Sequence, residues 1–151
     1  MKPLLLAALL VLSLPLAAAP ISPATHAAVM RIADAAGVPR SVAHALMLAE
    51  SSGDAAAIHL EPSGFSSLGL YQLHTDPRNL GWLLSQYWQG GRFDILDPLD
   101  NATVALRYVA ALHKQFATWE RALCFYNAGR VVDVPETTRA YARKICEAGE
   151  P

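Results

Sequence analysis

The chain has 151 residues, with 12 basic and 13 acidic side chains and only two cysteines. An apolar leader at its start carries one basic residue, and its removal leaves 11 basic against 13 acidic side chains, a net charge of −2. This balance offers no basic excess to hold a polyanion and argues against nucleic acid as the main partner. What remains is long enough for one domain with a real core.

The leader, residues 1–19, combines a positive charge, an apolar run and small residues before a break. That pattern predicts a secretory signal peptide. Cleavage after Ala19 satisfies the small-x-small rule but leaves Pro20 after the cut, and cleavage after Ala18 is the alternative. The rest of the chain has no apolar run long enough to cross a bilayer. We therefore expect an exported protein, periplasmic or extracellular, with no stable membrane span after signal cleavage.

Residues 20–151 are predicted to form a single, mainly α-helical domain. Ser22 as a cap and Pro23 at the first helical position open a first helix, which Gly37 ends. A second helix follows, and after it a stretch of turn formers over 54–77 predicts one long loop or a short hairpin. The later helices are expected to begin around Asn79, Asp97-Pro98, Thr118 and Pro135.

Glu50 lies at the end of the second helix. Ser41 is the expected cap, Gly53 the expected stop, and the residues between them are apolar almost all round. Such a helix is usually buried. Poor solvation and the negative end of the helix dipole would both raise the pKa of Glu50, as a general acid near neutral pH requires. The simple alternative is a glutamate that reaches water, and this stretch alone favours that alternative.

Cys124 and Cys146 are expected to form a disulfide, because the protein is predicted to be exported. The five histidines lie at no ligand spacing with one another or with cysteine, and H-E-x-x-H is absent. We predict neither a metal nor a cofactor. The triplet that begins at Asn101 matches a glycosylation sequon, for which a helix cap is a sufficient explanation. Gly69 would allow a close backbone approach, although a plain turn explains it.

Four short stretches stand together in order, and each is a weak signal alone. They are Glu50-Ser51, Gly69-Leu70-Tyr71-Gln72, Phe125-Tyr126-Asn127-Ala128-Gly129, and the helix in which Tyr141 precedes Lys144-Ile145. Their order and spacing resemble the soluble lytic transglycosylase domain, which is related to goose-type lysozyme. The resemblance covers nearly all of the mature chain. It departs at Tyr71, where the family usually has Met, at Gly53 and Ala55, and in a long stretch between Glu50 and Gln72.

The resemblance implies a lysozyme-like fold and peptidoglycan as the substrate. Glu50 would act first as acid and then as base, cutting between N-acetylmuramic acid and N-acetylglucosamine and closing a 1,6-anhydro ring. It further implies that some side chains bind the substrate or orient Glu50, and that others pack against the sugar or support Glu50. The first group is Ser51, Gln72 and Asn127, and the second is Tyr126 and Tyr141.

Simpler roles stay open for each of these residues. Ser51 and Asn127 would serve as helix-end caps, the two tyrosines as core aromatics, and Gln72 as a solvated loop residue. Four aromatic side chains are able to stack on sugars: Trp82, Tyr87, Trp88 and Trp119. Core packing is the simpler explanation for most of them.

Three other functions stay open. The first is a hydrolytic lysozyme of the same fold, which needs a second carboxylate to activate water. The candidates for that carboxylate are Asp54, Glu61, Asp76 and Asp94. The others are a non-catalytic wall-binding or assembly module and a secreted toxin. The expected partner is the peptidoglycan glycan strand, the expected state is a monomer, and a partner in secretion or envelope machinery is compatible with the sequence.

Overall fold

The computed structural model describes residues 19–148, so the predicted signal peptide lies outside the described residues apart from Ala19. Within this range the fold is mainly α, as predicted, with one small sheet. The elements in chain order are α1 (Pro23–Ala36), α2 (Arg40–Ser51), β1 (Ile58–Leu60), β2 (Ser66–Leu68), β3 (Leu73–His74), α3 (Pro77–Tyr87), α4 (Pro98–Phe116), α5 (Trp119–Ala128) and α6 (Glu136–Ala148). No helix in the described part is both long and apolar enough to cross a membrane.

Local capping signals set most of the helix ends. Ser22 accepts a hydrogen bond from the Thr25 amide at 3.1 Å, and Gly37 closes α1 with φ of 76°. Thr118 caps α5 in the same way, and Gly129 ends it with φ of 66°. These predictions are confirmed, because side-chain acceptors and left-handed glycines satisfy the backbone groups that a helix leaves unpaired at its ends.

The second helix departs from its prediction in three respects. Its N-cap is Pro39 and not Ser41, and its left-handed C-cap is Ser52, with φ of 56°, one residue before Gly53. The helix is also not buried all round, since Leu48 is 47 % exposed. The reason is that α2 packs mainly against α1 and α6, which leaves a third side facing solvent. The apolar composition therefore predicted burial on a face against which none of the other described helices or strands packs closely.

The stretch after α2 forms the hairpin that the sequence left as one of two alternatives. Strands β1 and β2 pair antiparallel with His59 opposite Ser67, and β3 continues the sheet with His74 opposite Ser67. The turn between β2 and β3 carries residues 69–72. The small sheet thereby places this turn close to the C-terminal end of α2.

Helix α4 forms the centre of the core. It packs against α1, α3 and α5, and its inward face is fully buried at Val104, Ala105, Leu106 and Val109. Helix α6 in turn packs against both α5 and α2. This arrangement brings the end of α2, the 69–72 turn, and the facing sides of α5 and α6 to one place.

Cys124 lies on α5 and Cys146 on α6, two helices that pack against each other. Both are thiols in the structure, so the disulfide stays a prediction. Such a bond would tie together the helices that carry Asn127 and Tyr141 and would stabilise the fold by roughly 3 kcal/mol in the chain-entropy model. We expect thiol labelling of the unfolded, unreduced exported protein to find no reactive thiol. Labelling of both cysteines would show that no bond forms.

Candidate active site

A cleft of about 520 Å³ opens where these elements meet. Its walls include Glu50 from α2, Glu61 from the β1–β2 connection, Gln72 from the turn, and Tyr126 and Asn127 from α5. We refer to it as the Glu50 cleft. The structure thus gathers side chains from three of the four sequence motifs around one cavity, and the fourth motif reaches it through Tyr141.

Glu50 is largely buried, and that burial is the main reason why its pKa rises from 4.5 to about 7. The Tyr141 hydroxyl donates a hydrogen bond to Glu50 Oε1 and lowers this pKa, whereas the nearby charge of Glu61 raises it. The rise predicted from the sequence is therefore present. A carboxyl group with this pKa holds a proton in a substantial fraction of molecules at neutral pH and also exists as the base.

Tyr141 supports Glu50 rather than facing an open cleft. Burial and the neighbouring Glu50 charge raise the pKa of the Tyr141 phenol, so the group stays protonated and keeps donating. This contact fixes one oxygen of the carboxyl group and leaves the other to meet a substrate. Of the two roles suggested by the resemblance, support of Glu50 is the one that this geometry favours.

Tyr141→Phe removes that donor without changing the shape of the ring. We expect kcat to fall about 10- to 100-fold, the size of a lost hydrogen bond to a charged group. Because the bond lowers the pKa of Glu50, its loss should also move the Glu50 ionisation in the kcat/KM pH profile to higher pH. A variant that melts at lower temperature but keeps the wild-type pH profile would show that Tyr141 is only structural.

The turn that carries Gln72 is held by Asn101, a fully buried residue in the first turns of α4. Asn101 Nδ2 donates to the carbonyls of Leu68 at 3.0 Å and Ile95 at 2.9 Å, and Oδ1 accepts from the Tyr71 amide at 2.8 Å. The helix cap is Asp97 instead. The explanation of Asn101 as a cap is therefore wrong, and its burial is incompatible with a glycosylation role in the folded domain.

Gly69 is required by the same contact. Its φ is 80°, and an added Cβ would lie 2.4 Å from Asn101 Nδ2 and 2.5 Å from the Ile95 carbonyl oxygen. The close approach that a glycine permits is thus to α4 and not to a ligand. The alternative of a plain turn is therefore insufficient, because the backbone at Gly69 packs directly against the buried side-chain amide of Asn101.

Gln72 follows with a left-handed backbone, φ 51°, that is uncommon for a residue with a side chain. Its Nε2 donates to the carbonyls of Ala57 at 3.1 Å and Gly69 at 2.9 Å. Both bonds fix the amide against the loop at the cleft wall, so Oε1 is the atom that the side chain offers to a ligand. Gln72 is partly buried and anchored, which differs from the solvated loop residue of the simpler interpretation.

Tyrosines 71 and 126 connect the turn to the helices. Tyr71 is fully buried, and its hydroxyl donates to the Ala43 carbonyl on α2 at 3.1 Å. Tyr126 donates from its hydroxyl to the Tyr71 carbonyl at 2.7 Å while its ring lines the cleft. A methionine at position 71 would have no hydroxyl for this bond to α2. Tyr71, which stands where the family usually has Met, thus adds a hydrogen bond between the turn and the helix that bears Glu50.

Asn127 is exposed in the cleft wall, and its Oδ1 accepts from the Thr138 hydroxyl at 2.9 Å. This bond orients the Asn127 amide so that Nδ2 is the group available to a ligand. Thr138 is buried on α6. Nothing in the sequence analysis assigned a role to Thr138, and only the packing of α5 on α6 reveals its contact with Asn127.

Ser51 is the predicted site residue that the structure places elsewhere. It is buried, its hydroxyl donates to the Leu70 carbonyl at 2.8 Å, and it accepts from the Gly53 amide at 3.2 Å. It does not line the Glu50 cleft. The structure supports a positioning role, holding the 69–72 turn against α2, rather than direct substrate contact, which was one of the two roles that the resemblance implied.

Glu61 is the one of the four candidate second carboxylates that lines the cleft. Its Oε1 accepts from the Ser67 hydroxyl at 2.8 Å. The other three bind backbone amides nearby: Asp54 that of Ala56, Asp76 that of Arg78, and Asp94 that of Leu96. Among residues 19–148 no group of three or more potential metal ligands is found.

Between residues 19 and 148, six helices, a small sheet beside the end of the second helix, and the largely buried carboxyl group of Glu50 in a cleft define a mainly α, lysozyme-like domain. The model of the transglycosylase SLT domain matches residues 28–147, and the chain belongs to that family. Searches of curated proteins and of solved structures found no significant match.

Proposed function

We propose that the protein is an exported peptidoglycan lytic transglycosylase in which Glu50 acts as both acid and base. The observation that carries this proposal is the Glu50 carboxyl group in the wall of the cleft, whose pKa burial raises to about 7 and whose Oε1 accepts a hydrogen bond from Tyr141. Membership of the SLT family supports peptidoglycan as the substrate. A protein that acts on the cell wall belongs outside the cytoplasm, in agreement with the predicted signal peptide.

The reaction uses the Glu50 carboxyl group twice, first as an acid and then as a base. Protonated Glu50 donates to the oxygen between N-acetylmuramic acid and N-acetylglucosamine, and the bond from that oxygen to C1 breaks as the muramoyl ring becomes oxocarbenium-like. The Glu50 carboxylate then accepts the proton of the muramoyl C6 hydroxyl, whose oxygen bonds to C1. The products are a free 4-hydroxyl group and a 1,6-anhydro ring, and Glu50 is protonated again.

The neighbouring groups position the strand. Oε1 of Gln72 accepts hydrogen bonds from the N-acetyl and hydroxyl groups of the sugars. Nδ2 of Asn127 donates hydrogen bonds to the same kinds of group. Tyr126 packs against a ring while its hydroxyl holds the turn, and Ser51 acts through that turn. Because the partners of Gln72 and Asn127 are already in place, little side-chain freedom is lost when the strand binds.

Hydrolysis is the second candidate, and the place of Glu61 favours it over the remaining alternatives. Glu61 lines the same cleft as Glu50 and accepts a hydrogen bond from Ser67, so it would be the carboxylate that activates water if the enzyme were an inverting hydrolase. The transglycosylase proposal assigns Glu61 a different effect, since its negative charge raises the pKa of Glu50.

Digestion of purified sacculi tests the proposal against both rivals. The wild type should release soluble muropeptides, and Glu61→Gln should change the rate only modestly, with Glu50→Gln as the inactive reference. A loss with Glu61→Gln as deep as that with Glu50→Gln would favour the hydrolase. A wild type that binds sacculi and releases nothing would leave only the wall-binding module.

A further inference from the structure

Trp82 is the most exposed large aromatic side chain of the described residues. It is 48 % exposed, whereas Trp88 and Trp119 are partly buried, with Trp119 stacked on His113 at a centroid distance of 3.8 Å. Trp82 lies on α3, one turn after Asn79, and Asn79 lines the Glu50 cleft. A core role does not account for a tryptophan with half of its surface in water.

The Trp82 ring is nevertheless held in one orientation. It packs edge-to-face against Tyr87 and Tyr108, with both centroid distances at 5.9 Å and interplanar angles of 86° and 82°. Such aromatic pairs stabilise a fixed geometry beyond the area they bury. The exposed surface is therefore a preorganised platform and not a loose side chain.

The platform continues the cleft. Tyr108 lines the Glu50 cleft, and its ring lies 5.9 Å from that of Tyr126, which lines the same cleft. An aromatic row thus runs from beside Glu50 through Tyr126 and Tyr108 to Trp82 at the surface. Among the described residues that line the cleft, none is a lysine or an arginine.

We propose that Trp82 forms an outer sugar subsite, on which a pyranose ring of the glycan strand stacks beyond the two sugars that flank the cut bond. This inference rests on the proposed function. A β-linked hexosamine presents an apolar C–H face, and an exposed, oriented indole is the surface such a face covers well. The subsite adds affinity only for strands long enough to reach it, so it makes the enzyme prefer long strands over short ones.

The test compares peptide-free glycan strands, fractionated by length, as substrates for wild type, Trp82→Ala, Trp82→Tyr and the control Trp119→Ala. In Trp82→Ala the ratio of kcat/KM on long strands to that on tetrasaccharide should fall about fivefold to tenfold, mainly through KM on long strands. Trp82→Tyr should recover most of the ratio, and Trp119→Ala should leave it unchanged.

A second readout keeps the inference separate from catalysis. Fluorescence titration of Glu50→Gln with long strands should show quenching and tighter binding than Glu50→Gln combined with Trp82→Ala. The subsite would be overturned if Trp82→Ala left the ratio of kcat/KM values unchanged or lost activity equally on short and long strands. It would also be overturned if Glu50→Gln bound long strands equally well with and without Trp82→Ala. In each of these cases a wild type that cuts the strands still upholds the proposed function. A wild type that cuts no strand but binds long ones through Trp82 would overturn the proposed function and keep the subsite.

Discussion

Glu50→Gln should lower the turnover of purified peptidoglycan by about 10²–10⁴-fold, the usual contribution of a general acid–base group. Glutamine keeps the size of the side chain, and its amide oxygen accepts the Tyr141 hydrogen bond, but it neither donates nor takes the catalytic proton. The measurement is the initial rate of muropeptide release. Glu147→Gln, an exposed change on α6, is the matched control and should keep the wild-type rate. Wild-type turnover by Glu50→Gln would show that Glu50 is not the catalyst.

The same substitution should change stability in a pH-dependent way. The pKa of Glu50 is about 7 in the folded protein against 4.5 as the ordinary value, so the folded state holds the proton more tightly. Ionisation of Glu50 therefore costs stability, and this cost is absent below about pH 4.5 and complete above about pH 7. At pH 8 we expect Glu50→Gln to be more stable by up to about 3 kcal/mol, with almost no difference at pH 4. Denaturant unfolding at both pH values gives the comparison, and a difference independent of pH would contradict this origin.

Asn101→Ala should lower the stability of the folded protein, and this is the second largest effect that we expect. The substitution leaves the carbonyls of Leu68 and Ile95 and the amide of Tyr71 without the partner that each has now. A buried backbone group without a partner costs about 1–3 kcal/mol, so we expect the free energy of unfolding to fall by roughly 3 kcal/mol or more. Activity should fall as well in the folded fraction, because Asn101 holds the turn that presents Gln72.

Thermal and denaturant unfolding measure this effect. Gln115→Ala, an exposed change on the same helix, is the control and should stay within about 0.5 kcal/mol of wild type. Asn101→Asp keeps an acceptor for the Tyr71 amide but turns an oxygen toward two carbonyls, so it should also be strongly destabilised. A melting temperature unchanged in both Asn101 variants would show that the turn does not depend on this residue.

The parts of the fold that sequence reasoning predicted are those with local causes. Ser22 and Gly37 bound α1 because a side-chain acceptor and a left-handed residue act within one helical turn. Glu50 was placed near the end of an apolar helix, but its catalytic assignment came from the resemblance of the four motifs, since this stretch alone favoured a glutamate that reaches water. The exposure of Leu48 was missed because it depends on which neighbours α2 has, and composition does not specify neighbours.

The parts of the site that were missed depend on long-range packing. Asn101 contacts residues about thirty positions earlier in the chain, and its sequence context suggested only a cap or a sequon. For Ser51 the sequence left substrate binding, orientation of Glu50 and a helix cap open, because motif membership does not distinguish a side chain that faces the cleft from one that holds the turn.

Mass analysis of muropeptides released from purified sacculi by the wild type tests the central claim most directly. If Glu50 takes the C6 proton, the new muramoyl ends are 1,6-anhydro rings, lighter by one water than hydrolytic ends and resistant to borohydride reduction. The account predicts anhydro ends from wild type and none from Glu50→Gln. Reducing muramoyl ends from the wild type would contradict it and favour the hydrolase, with Glu61 as the first candidate for the base.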